Sequence, residues 1–168
     1  LVIEDNTDIR TYIKSCIDTA IFEIIEAENG QIGIEKAIEL VPDLIISDVM
    51  MPKKNGFEVT KAIRQNIITS HIPIILLTAK ADKESELKGL ELGSIDYITK
   101  PFDAKELQLK VKNTLTRKLA LLSEIRNTTK TTDKHNVQYT TERDKNFIEK
   151  LFFLEKKADD IFQKNENF

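Results

Sequence analysis

The amino-acid sequence predicts an α/β protein: a parallel sheet of five strands with helices on both faces. Two observations carry this. Short β-branched, apolar runs alternate five times with longer stretches of helical periodicity, and parallel neighbours need such a crossover helix between them. The glycines and prolines that punctuate turns all fall between Gly30 and Pro101, inside the alternating region.

Leu1 to Ile3 reads as the first strand, followed by a helix near 7 to 20 with Ile9, Ile13, Cys16, Ile17 and Ala20 on one apolar face. Phe22 to Ala27 and a helix near 30 to 41 form the second unit. Leu44 to Ser47 and a helix near 56 to 66 form the third. Ile74 to Thr78 and a helix near 83 to 92 form the fourth, and Ile95 to Thr99 is the fifth strand. Asp103 to Glu106 is a capping-box pattern that starts a fifth helix, with Leu107, Val111, Leu115, Leu119 and Leu122 at helical spacing.

The expected domain is therefore 1-122. Residues 123-140 are polar, rich in Thr, Asn and Lys, without periodicity, and read as a linker. Residues 141-168 read as an amphipathic helix, the start of an effector domain cut short, with Phe147, Leu151, Leu154, Ala158 and Ile161 on one stripe. The chain opens at Leu1, inside a strand-like run, and so reads as a piece of something longer.

Across 168 residues, 40% are apolar and 32% charged, as in a globular protein, and no run approaches the ~18 apolar residues of a membrane span. A net charge of -3 leaves no electrostatic footprint for nucleic acid. DNA contact is expected only through a domain absent from this chain. The lone cysteine, Cys16, is expected to be buried packing, which suits a reducing, cytoplasmic setting. His71 and His135 lie in polar segments and are expected to face solvent.

The chemistry concentrates where strands end, because the ligand crevice of an open parallel sheet lies beyond the carboxyl ends of its strands. The first strand ends in Glu4-Asp5, the third in Asp48, the fourth in Thr78 and the fifth in Lys100-Pro101. Three carboxylates close together repel one another, and a hard divalent cation such as Mg²⁺ resolves that conflict. A nucleophilic acid, a metal, a hydroxyl and an ammonium together suffice for phosphoryl transfer, with an aspartyl phosphate on Asp48 as product. Asp48 is expected to stand exposed at the tip of its strand.

The stretches VIEDN, DVMMPKKNG, LLTA and DYITKPF occur in this order across Leu1 to Leu122, which resembles the receiver domain of response regulators in two-component signalling. The resemblance implies a flavodoxin-like doubly wound sheet in the order 2-1-3-4-5. It implies Asp48 as phosphoacceptor, Asp5 as direct Mg²⁺ ligand, Glu4 as a ligand through water and Met50 as donor of a backbone carbonyl. Thr78 matches the switch hydroxyl, Lys100 the phosphate-binding lysine and Tyr97 the switch aromatic. Pro101 matches a proline after a cis peptide, and Gly56 the glycine of the loop after the phosphorylation site. Asn55 departs from the family, which more often has Asp there.

Implied partners are a histidine kinase phosphodonor domain and a second copy, through the fourth helix, fifth strand and fifth helix or through the C-terminal helix. No membrane contact is expected in this segment. DKNFIEKL, Asp144 to Leu151, is similar to the helix that leads into AraC-type DNA-binding domains behind receivers of hybrid sensors. The expected output is regulation of transcription, the chain being a phosphoacceptor that assists its own phosphorylation and dephosphorylation rather than an enzyme. An interaction or dimerisation module without DNA output is the alternative. A haloacid dehalogenase-type phosphatase is the remote one, since it wants a second aspartate where this chain has Met50.

Overall fold

In the computed structural model, residues 1–79 and 96–130 are described, with side chains described to residue 121. The helical stretch near 83 to 92 and everything from 131 onward, including His135 and DKNFIEKL, lie outside the described residues. The strands are β1 (Val2–Ile3), β2 (Glu26–Ala27), β3 (Ile45–Asp48), β4 (Ile74–Ala79) and β5 (Asp96–Lys100). The described helices are α1 (Thr7–Cys16), α2 (Gly30–Leu40), α3 (Gly56–Gln65) and α4 (Ala104–Lys130), the last being the fifth helical stretch of the sequence. All strand pairs are parallel and the order is β2-β1-β3-β4-β5, the flavodoxin-like arrangement.

β4, of sequence IILLTA, is buried at every position but the last, because an interior parallel strand is covered on both faces. Its Ile74 and Leu76, on one face, join Ile3, Ile45, Val59, Ile63 and Ile72 in one core. Asparagines cap the first three helices. Asn6 accepts from Asp8 and Ile9, Asn29 accepts from Ile32, and Asn55 forms a reciprocal capping box with Glu58. The Asn at position 55 is thus spent on starting α3. Asp103 caps α4 by accepting the Glu106 N–H at 2.7 Å.

Three boundaries differ from expectation by more than a residue. α1 stops at Cys16 rather than near 20, because Asp18 turns the chain: its carboxylate accepts the Ala20 N–H and its carbonyl accepts from Ile21 and Phe22. Ala20 is consequently exposed and off the apolar face, whereas Ile13 and Cys16 are buried on it. β2 is two residues long instead of six, since it pairs only as far as the equally short β1 extends. α4 runs past Leu122 to Lys130, and no Gly or Pro interrupts it.

The chain divides into two compact units, Leu1–Leu115 and Thr116–Phe168. The first holds the whole sheet. Of the second, the described part is the remainder of α4. Among the described residues no helix is long and apolar enough to cross a membrane.

Candidate functional site: an acidic cluster at the carboxyl edge of the sheet

The pairing of β1 with β3, Val2 opposite Ile46 and Ile3 opposite Ser47, carries the two strand tips to the same edge. Glu4 and Asp5 follow one, and Asp48 ends the other. One carboxylate oxygen from each of Glu4, Asp5 and Asp48 lies within 4.8 Å of the others. β5 brings Lys100 to the same edge: its Nζ lies 2.8 Å from Glu4 Oε2 and 2.9 Å from Asp48 Oδ1.

Burial divides the acids. Glu4 is 1% exposed and Asp48 6%, while Asp5 is exposed. The expectation of an exposed Asp48 is therefore corrected. The carboxylate is paired with the Lys100 ammonium, and Gly56 at the start of α3 packs against the Asp48 backbone. A β-carbon at position 56 would collide with the Asp48 carbonyl oxygen and approach Val49 Cα at 2.9 Å, so the close approach admits only glycine. The Gly56 N–H donates to the Val49 carbonyl at 3.0 Å, closing the loop on itself. Lys53, with φ of 66°, makes the turn between Pro52 and Asn55.

Burial also sets the protonation balance. It pushes the Glu4 pKa up; the hydrogen bond from Lys100 opposes the rise and the Asp48 charge adds to it, leaving a net increase. For Lys100, burial works downward, but hydrogen bonds to Glu4 and Asp48 outweigh it and its pKa is raised. Two acids held around one ammonium stabilise its charge.

The remaining expected residues take their places through strand register. Thr78, 2% exposed, follows Leu77, the partner of Asp48. Tyr97 lies opposite Leu76 in β5, partly buried against the core. The Met50 side chain is 74% exposed and directed away from the core. The Lys100-Pro101 peptide is cis. His71 is exposed.

Sequence reading passed over Arg10. Its Nη1 donates to the Glu4 carbonyl at 2.7 Å and its Nε to Glu26 Oε2 at 3.2 Å. The available signal was an arginine one turn into the helix that follows the acidic pair, with an acid at the adjoining strand.

The donor set suits a hard divalent cation. All candidate ligand atoms are oxygens, and three carboxylates beside a single ammonium leave an excess of negative charge. Glu4 has both oxygens engaged, by Lys100 and by the Asn6 N–H at 3.2 Å, so Asp5 and Asp48 are the better placed to touch an ion.

A parallel sheet in the order 2-1-3-4-5 with acids and a lysine converging on its carboxyl edge defines the receiver class of signalling domains. The chain belongs to the response regulator receiver domain family, whose model matches residues 1–112. It is 39% identical over 117 residues to the phosphate regulon transcriptional regulatory protein PhoB of Pseudomonas aeruginosa, covering 70% of this chain and 51% of that protein. It is 41% identical over 127 residues to histidine kinase P4 of Formosa agariphila, covering 76% of this chain and 9% of that one. The chain thus spans at most about half the length of these relatives. Among solved structures, the chemotaxis response regulator CheY4 of Vibrio cholerae matches with a TM-score of 0.63 and 30% identity, over 67% of this chain and 94% of that one. A response regulator receiver domain protein from Clostridium thermocellum matches with a TM-score of 0.65 and 29% identity, over 71% and 95%.

Proposed function

We propose that Asp48 is the phosphoacceptor of this receiver and takes a phosphoryl group from a phosphohistidine on a partner kinase. The observation that carries this reading is the convergence of Glu4, Asp5 and Asp48 within 4.8 Å, with Lys100 bonded to two of them. An Asp48 carboxylate oxygen attacks phosphorus, the P–N bond breaks, its electron pair stays on the imidazole nitrogen, and an aspartyl phosphate remains. Asp5, Asp48 and the Met50 carbonyl would hold Mg²⁺, with Glu4 behind them through water. Such an ion supplies neutralisation of phosphoryl oxygen charge.

Lys100 then has a new acceptor. In the unphosphorylated form it bridges Glu4 and Asp48, and phosphorylation adds about -1.5 to -2 charge beside it. Thr78 offers its hydroxyl from the end of β4. A shift of Thr78 toward the phosphoryl group makes room for Tyr97, which carries the change to the β5 and α4 surface.

The chain's relatives support two settings for this switch. PhoB and the Bacillus subtilis protein ResD, 42% identical over 117 residues, are transcriptional regulatory proteins, and histidine kinase P4 joins such a segment to a kinase. We take the parent protein to be a cytoplasmic hybrid sensor and regulator whose output is transcription through an AraC-type domain, with dimerisation as a route to it.

Mass spectrometry of the full chain treated with a small phosphodonor and Mg²⁺ tests the phosphoacceptor. One acid-stable, base-labile phosphate on wild type and none on Asp48→Asn is expected. Equal labelling of the variant at another residue overturns the assignment.

A further inference from the structure

We infer that Arg10 is a positioning residue for the acidic site, acting through the Glu4-Asp5 peptide and itself aimed by Glu26. The inference rests on the metal-binding reading above.

Glu4 is pinned at every polar atom. Its N–H donates to the Ala27 carbonyl at 3.1 Å, Oε1 accepts from the Asn6 N–H at 3.2 Å and Oε2 from Lys100 at 2.8 Å. Its carbonyl accepts from Arg10 Nη1 at 2.7 Å, the shortest of the four. That carbonyl shares a rigid peptide plane with the Asp5 nitrogen, so fixing its direction fixes how Asp5 departs from the strand. Asp5 is the exposed acid of the cluster, and its backbone is what aims it at Asp48.

The guanidinium is held to this task. Its side chain is 15% exposed, Nε donates to Glu26 Oε2 at 3.2 Å, and Nη2 reaches Thr7 Oγ1 at 3.4 Å. Glu26 is held in turn: Lys14 binds its other oxygen at 2.6 Å, and Lys36 donates to its carbonyl at 2.7 Å. The planar fork of an arginine reaches carbonyl and carboxylate through two separate nitrogens, where a lysine has a single one to share. The arrangement also places a permanent positive charge behind the acidic tip without occupying a carboxylate oxygen of the cluster.

Calorimetric Mg²⁺ titration of the full chain tests this, with urea unfolding measured on the same samples. Arg10→Ala is expected to weaken Mg²⁺ binding about tenfold, in the range for groups that orient metal ligands. Glu26→Gln is expected to weaken it less, Arg10→Lys to restore only part, and Glu35→Gln, an exposed α2 control, to leave it unchanged. The Mg²⁺ concentration for half-maximal phosphoryl uptake should rise in Arg10→Ala, with the rate at saturating Mg²⁺ near wild type. Arg10→Ala with lowered urea stability but wild-type Mg²⁺ affinity overturns the inference and leaves a structural role. If Arg10→Ala does not fold, Glu26→Gln and Arg10→Lys decide: wild-type affinity in both overturns it. A wild-type chain that binds no Mg²⁺ overturns the metal reading and this inference together, whereas loss confined to Asp5→Asn overturns the inference alone.

Discussion

Glu4 and Lys100 meet at 2.8 Å across the carboxyl edge of the sheet although β1 and β5 are not neighbours. Two strands, β3 and β4, lie between them, and the lysine also binds Asp48 at the end of β3, at 2.9 Å. It is the positive charge that allows two buried carboxylates to remain side by side.

Lys100→Met should therefore leave Glu4 and Asp48 uncompensated and cost about 2 kcal/mol in urea unfolding, less than for a fully buried pair because Lys100 is partly exposed. Added Mg²⁺ should stabilise this variant more than wild type, since the ion then supplies the missing charge. Stability equal to wild type without Mg²⁺ would show that the lysine does not compensate the acids.

At the start of α3, Gly56→Ala would place a methyl group against the Asp48 carbonyl. Overpacking of this kind costs about 1–3 kcal/mol, and here relief requires moving the strand tip or the helix. A lowered Tm together with slower phosphoryl uptake is expected. A variant that unfolds earlier but accepts phosphate at the wild-type rate would show that the shift spares Asp48.

Glu26 should make stability depend on acid pH. The Lys14 hydrogen bond lowers its pKa first, burial opposes, and the Lys14 charge and Arg10 add to the lowering, leaving it below the ordinary 4.5. A depressed carboxyl stabilises the fold above its unfolded value and loses that contribution as pH falls through the folded one. Glu26→Gln should cost about 0.5 kcal/mol near neutral pH, as expected for a partly exposed pair, and the gap should close below pH 4.5. A gap unchanged from neutral to strongly acid pH would assign the loss to packing instead.

How much of this was legible beforehand depends on how local each feature is. Asp48 at the end of an apolar run, Glu4-Asp5 after Leu1 to Ile3 and Lys100 after β5 could each be read from a few neighbouring residues. The capping asparagines belong to the same class. Phe22 to Ala27 misled for the opposite reason: β-branched residues favour extended backbone, but a strand exists only where a partner pairs with it, and β1 offers two residues.

Local pattern by itself determined the alternation of strands and helices and which chemical groups stand at the strand tips. Tertiary structure decided that Asp48 lies buried and paired with Lys100, that Glu4 has every polar atom engaged, and that Arg10 joins α1 to the acidic tip and to β2. The reason is physical: periodicity and caps act over a few residues, whereas a carboxylate's burial and charge balance depend on groups such as Lys100, which lies 96 residues from Glu4 in sequence and 2.8 Å away in space.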